Sequence, residues 1–317
     1  MESSPPETSP PFKISCPQSN VRRIFIGTRG LRAGWGALSF VALLILLGAT
    51  TYGLVRILPL PAFESGGSVT MTPFNKGIVD AVLLVIVVIA TSIMARLEKR
   101  RLADYGFGRS KELGRFFSGV GWGFFFISLL VFVLFETHNL VFENYTIRLG
   151  TAFLYGVEWF ISMFFVGAFE ETIFRGYLQW TLARGITFWG ASAVLAVIFG
   201  SAHGSNPGES HIGLFSAAAI SLALSLSIWY TRSLWWAVGF HTAWNWGETF
   251  FYGTPNSGLL AEGHLLSIRA EGASITSGGS TGPEGSVFVL PIVLLVGAAI
   301  YLTCRPQMSA VQPRKGQ

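Results

Sequence analysis

Ala168-Phe169-Glu170-Glu171-Thr172-Ile173-Phe174-Arg175-Gly176 follows directly on Ile161-Ser162-Met163-Phe164-Phe165-Val166-Gly167. Two adjacent carboxylates and a guanidinium thus stand at the end of an apolar run. An ionisable side chain within a membrane span costs about 2.5–3.5 kcal/mol even on the milder insertion scale, so such a cluster marks a functional site by default. The first question is whether its surroundings are a membrane.

Composition answers it. Of 317 residues, 51% are hydrophobic and only 12% charged, with a mean hydropathy of +0.52. A soluble domain carries about 25% charged residues, so this surface does not mostly face water. The 27 Phe and 10 Trp are the aromatic load of membrane spans and their interfacial belts. A net charge of +5 could point to nucleic acid, but the basic residues lie in short patches between apolar runs. That distribution reads as membrane orientation, with no nucleic-acid partner. Cys16 and Cys304 lie near opposite ends of the chain and have neither metal-site nor disulfide-framework spacing.

Eight apolar segments come near the roughly 20 residues needed to cross a bilayer. They fall at 34–55, 77–95, 115–135, 151–183, 187–203, 212–230, 234–252 and 286–304. The expected fold class is therefore all-α, a polytopic transmembrane helical bundle of about eight spans. Residues 1–32 read as a cytoplasmic N-terminal tail, 33–304 as the membrane domain with its core near 150–252, and 305–317 as a cytoplasmic C-terminal tail. The Lys and Arg residues test the orientation. The first tail holds five, and seven lie between Arg96 and Arg115. Arg175, Arg184, Arg232, Arg305, Arg314 and Lys315 fall on the same side, against Arg56, Lys76, Arg148 and Arg269 on the other. The positive-inside rule then puts both termini in the cytoplasm and gives an even number of spans. A plasma (inner) membrane, multi-pass location is expected, with the lipid bilayer as a partner. The longest external connection is 253–285, in which the Gly- and Ser-rich stretch Ser277–Gly285 is expected to be turn-rich and non-helical. Its two readings are a flexible connector and a loop that contacts substrate.

Few polar groups remain in or near the spans: Asp80, Glu158, Glu170, Glu171, Arg175, His203, His241 and Glu248, with Asn245 beside them. Glu171 and Arg175 are four apart and lie on one helix face, as do His241 and Asn245. Glu170, about 100° further round, is free to point elsewhere. If a cytoplasmic turn lies near Gly185-Ile186, Glu170 and His203 both sit about 24–26 Å from it. A turn near Arg232 puts His241 about 14 Å and Asn245 about 20 Å along the next hairpin. These depths overlap. A buried carboxylate can then take a proton from water, histidines can orient that water or ligate zinc, and an asparagine amide can donate to an oxyanion. Arg175 would hold Glu171 ionised and leave Glu170 as the freer base. Taken singly, each group also has a structural reading, as an ion pair, a packed histidine or interhelical glue. Asp80 and Glu158 read as structural or edge residues, and Glu248 as a neighbour of His241 on its own face.

At this point the residues resemble a family. Glu170-Glu171-Thr172-Ile173-Phe174-Arg175, Phe199-Gly200-Ser201-Ala202-His203 and His241-Thr242-Ala243-Trp244-Asn245 look like the EExxxR, FxxxH and HxxxN motifs of the CPBP family. That group comprises CAAX prenyl endopeptidases and bacteriocin-processing or immunity (Abi) proteins. The resemblance implies an intramembrane endopeptidase whose site opens to the cytoplasmic side. It implies Glu170 as general base, supported by Glu171 and Arg175. His203 and His241 would position water or metal, and Asn245 would stabilise the tetrahedral intermediate. The expected substrate is a peptide or membrane-associated protein. The cofactor stays open between zinc, with Glu170, His203 and His241 as candidate ligands, and no metal. There is no HExxH sequence. The competing readings are a non-catalytic immunity or scaffold protein of the same fold and a proton-coupled transporter.

Overall fold

A computed structural model describes residues 26–27, 30–57, 70–108, 111–147 and 149–305. Most of the expected N-terminal tail, and residues 306–317 of the expected C-terminal tail, lie outside the described residues. Ten α-helices carry the described chain: α1 Ala33–Ile57, α2 Pro73–Leu97, α3 Glu112–Glu136, α4 Leu149–Glu171, α5 Gln179–Ile186, α6 Phe188–Ala202, α7 His211–Thr231, α8 Trp235–Trp246, the one-turn α9 Ser274–Ser277 and α10 Val289–Cys304. Two of them continue into π-helical turns, Thr172–Leu178 between α4 and α5, and Gly247–Tyr252 after α8.

The chain is a multi-pass α-helical membrane protein. Six helical stretches are long and apolar enough to cross a bilayer, among them the continuous run Gly150–Ile186 of 37 residues. The two remaining expected segments, 234–252 and 286–304, are helical but shorter. The first stops at Trp246 and widens into its π turn, and the second begins only at Val289 after a 3-10 turn at Pro283–Gly285. Helices suit a bilayer because they satisfy their backbone groups internally. Side chains complete the ends: Thr72, Thr187 and Ser210 accept the amides of Asn75, Gly190 and Gly213 at the starts of α2, α6 and α7. α1 leaves Ile45, Leu46, Tyr52 and Ile57 more than 60% exposed, as a lipid-facing helix does.

The tightest helix pair is α3 against α8, and small residues make it possible. A Cβ on Gly119 would stand 2.1 Å from the Trp236 carbonyl oxygen, one on Gly123 2.3 Å from that of Phe240, and one on Gly239 2.0 Å from that of Phe116. Without a hydrophobic drive between helices in lipid, such close backbone approach supplies the attraction. Around it lies a core of Ile127, Leu130, Leu134, Ile228, Trp236 and Phe240. A second core packs Phe40 of α1, Val87 and Met94 of α2, and Tyr105 against Tyr177 in the π turn before α5.

Short strands close one end of the bundle. β1 Ile26–Gly27 pairs with β2 Gly30–Leu31 near the start of α1. At the other end β3 Thr70–Met71 runs parallel to β5 Leu260–Ala261, and β4 Leu140–Tyr145 runs antiparallel to β6 Leu266–Ala270. The connection 253–285 is therefore not a loose linker. Ser277, Thr281, Pro283 and Gly285 are buried, the Gly258 amide donates to the Thr281 carbonyl, and the Ser286 hydroxyl donates to the Thr276 carbonyl. Backbone pairing, which leaves no trace in hydropathy, holds this Gly- and Ser-rich stretch in place.

Candidate active site

The carboxylate pair lies where α4 changes register. From Thr172 the helix widens to π geometry, and at Gly176 (φ −83°, ψ −114°) it leaves helical angles before α5 resumes. A π turn inside an α-helix re-aims side chains and recurs at functional sites. Glu171 and Arg175 are both buried and form an ion pair, Arg175 Nη1 donating to Glu171 Oε1 at 3.0 Å. The guanidinium also stacks over the Phe199 ring, 4.8 Å from its centroid. The i, i+4 pairing expected from the sequence is thus formed.

From α8, His241 closes on the same carboxylate, its Nδ1 lying 3.0 Å from Glu171 Oε1. A carboxylate held by arginine can only accept, so Nδ1 carries a proton and donates to Glu171. Nε2 lies 3.6 Å from Glu170 Oε2, beyond direct hydrogen-bond range. Glu170 therefore keeps its acceptors. Its Oε2 is buried without a hydrogen-bond partner, as are Glu171 Oε2 and Arg175 Nη2. Gly167, one turn before the pair, lets α4 approach α8 this closely: a Cβ there would stand 3.3 Å from the His241 Cβ and from the Thr242 amide.

His203 ends α6 and faces the same space. Its Nδ1 lies 2.8 Å from the Phe199 carbonyl oxygen, which again fixes the proton on Nδ1 and leaves Nε2 as an acceptor. Its ring lies 4.7 Å from Phe199, the packing expected one turn apart. A cavity of about 360 Å³ joins these groups, lined by Glu170, Arg175, His203, His241 and Asn245 and walled by apolar side chains that include Phe169, Ile173 and Phe174. Five of the six expected site residues thus border one space, and Glu171 stands behind it as the buried acceptor of both Arg175 and His241.

One expectation changes. Glu248 does not share a face with His241 at the site, because the helix widens to π geometry from Gly247. Its carboxylate is buried, without a hydrogen-bond partner and away from the cavity wall. Asp80 is a partnered structural group, as expected: its Oδ2 pairs with Lys76 Nζ at 2.5 Å, and Lys76 lines the cavity. Glu158 is exposed, and His138, His211 and His264 stay outside the cavity.

The sequence reading missed the polar wall and the floor. Asn206, Asn256, Ser257 and Glu284 line the cavity, with Ser257 donating its hydroxyl to the Glu284 carboxylate and Asn206 Nδ2 donating to the Ser257 carbonyl. Beneath the π turn, Glu98 accepts from the Tyr177 hydroxyl, from Tyr105 Oη at 3.1 Å and from Arg184 Nη1 at 2.6 Å. Burial raises the pKa of Glu98, but the donors, led by Arg184 and Tyr177, outweigh it and hold the carboxyl below its usual range. Only the run of basic residues near Glu98 was visible in the sequence, and it was taken for an orientation signal.

Glu170, His203 and His241 are the donor types of a zinc site. Among the described residues, however, no three His, Cys, Asp or Glu side chains are arranged to hold a metal ion. Their present geometry does not fit one.

Residues 152–247, from the first turn of α4 to the end of α8, match the family model described as Rce1-like, type II CAAX prenyl endopeptidase Rce1-like. That stretch, about a third of the chain, is what resembles the family. All three motifs lie inside the matched stretch, which bears out the CPBP/CAAX protease resemblance. No curated protein matches the chain.

Proposed function

We propose that this protein hydrolyses a peptide bond of a peptide or membrane-associated protein, with Glu170 as the general base. The observation that carries the reading is a Glu170 oxygen, buried without a partner, in one cavity with the imidazoles of His203 and His241. Water held between Glu170 and the imidazoles gives a proton to Glu170, and its oxygen attacks the scissile carbonyl carbon. The Asn245 side-chain amide, on the cavity wall, donates to the oxyanion that forms. Glu170 then passes its proton to the leaving amine as the C–N bond breaks, which balances the step. Glu171 is a positioning residue: with Arg175 it holds His241 in one tautomer and keeps a second negative charge paired. The apolar walls suit a substrate that buries hydrophobic side chains beside the scissile bond. The plasma (inner) membrane location, with both termini cytoplasmic, is part of the same proposal and rests on the distribution of Lys and Arg.

Comparative peptidomics of cells carrying the wild type or Glu170→Gln tests the proposal. Peptides differing by one defined terminal cut are expected only with the wild type. Full biological activity of Glu170→Gln with an unchanged peptide profile would favour an immunity or scaffold role. Substrate movement into proteoliposomes that depends on Glu170 without cleavage would favour a transporter.

A further inference from the structure

The two ends of the bundle differ in charge and in what they give the cavity. At one end the chain leaves α2, α5 and α7 and enters α3, α6 and α8; Arg96, Arg100, Arg101, Arg184 and Arg232 lie there. The opposite end carries the β3–β5 and β4–β6 pairs and the connection 253–285. Its basic residues among those described are Arg56, Lys76 and Arg269; Lys76 is paired with Asp80, and Arg269 with Glu143 and Glu271. By the positive-inside rule the basic end is cytoplasmic.

The cavity belongs to the other end. Its polar wall, Asn206, Asn256, Ser257 and Glu284, comes from the connections on the strand-bearing side, and Met71 and Lys76 at the start of α2 complete the rim. Arg100, Asp104 and Arg232 line a separate depression and do not reach it. Between the site and the basic end lies a closed floor: Glu171, Arg175, Tyr177 and Tyr105 are each no more than 1% exposed, and Glu98 and Arg184 seal them from below. The polar rim of the cavity thus stands on the strand-bearing side, and its floor is closed toward the basic end.

We propose that the cavity is loaded from the non-cytoplasmic face, so that the substrate is a peptide segment exposed outside the cytoplasm. The substrate part rests on the hydrolase reading; the sidedness rests on geometry and charge alone. It reverses the cytoplasmic opening that the family resemblance implies.

The test uses the full chain in intact cells, with Cys16 and Cys304 replaced by Ser and single cysteines introduced. Ala202→Cys and Ser257→Cys line the cavity, and Arg100→Cys marks the basic end. A membrane-impermeant maleimide is expected to label both cavity positions in intact cells, and Arg100→Cys only after permeabilisation. Labelling of Arg100→Cys in intact cells, or protection of both cavity cysteines until permeabilisation, overturns the proposal. Adding Glu170→Gln leaves the labelling pattern unchanged. Failure of the hydrolase reading shows separately, as a Glu170→Gln peptide profile identical to wild type.

Discussion

Arg175→Met removes one partner of an ion pair whose side chains are 1% and 0% exposed. Methionine keeps most of the apolar stem and fills much of the space, so the main loss is charge compensation for Glu171. Removing one member of a buried pair costs about 3–5 kcal/mol, because the other charge is left uncompensated. The lost stacking on Phe199 adds about 0.5–2 kcal/mol. At about 2–4 °C per kcal/mol for 150–250 residues, the melting temperature of the solubilised protein should fall on the order of 10 °C. The double variant Glu171→Gln/Arg175→Met carries no charge at this pair, and its amide oxygen can still accept His241 Nδ1–H. It should recover most of the loss, giving a coupling energy of the same order as the single-variant cost. Thermal unfolding followed by intrinsic Trp fluorescence reads all three proteins. A single variant as stable as wild type, or a double variant no better than the single, would refute this view of the pair.

Three further outcomes follow from the packing. Gly167→Val should slow peptide cleavage by about 10²-fold in folded protein, since displacing His241 by about 1 Å costs that much, whereas Gly167→Ala needs only a few tenths of an ångström and should be milder. Gly239→Ala sets a Cβ 2.0 Å from a rigid backbone carbonyl and should cost at least the upper end of about 1–3 kcal/mol, read as a lower melting temperature. Against the effect of burial, the Arg184 and Tyr177 donors hold Glu98 below the usual carboxylate range, so its contribution to stability is present above the unfolded value and is lost as pH falls through the lower, folded one. The wild type should therefore lose stability on acidification through that window, and Glu98→Gln should start less stable and show a flatter pH profile there.

Much of the site was legible because helical spacing is a local rule. Glu171 with Arg175, and His241 with Asn245, could be paired by counting, and the turns at Ile186 and Arg232 set comparable depths. What counting could not supply is which carboxylate His241 meets. It binds Glu171, because the close approach at Gly167 brings α4 onto α8 at that height. Nor does periodicity announce a change from α to π geometry, so the reorientation at Gly176 and the withdrawal of Glu248 were both invisible. The connection 253–285 misled for a different reason. Gly, Ser and Thr buried by backbone hydrogen bonds have the same composition as a flexible linker, although here they supply a cavity wall. Glu98 joins Arg184 across 86 positions, and no sequence pattern reports such a contact.

The central claim is that Glu170 activates water. Wild type, Glu170→Gln and Glu171→Gln, each purified and reconstituted in lipid vesicles, can be given the same library of fluorogenic peptides. The account expects cleavage by the wild type, none above background with Glu170→Gln, and slowed but measurable cleavage with Glu171→Gln. Wild-type turnover retained by Glu170→Gln, with activity abolished only by Glu171→Gln, would contradict it.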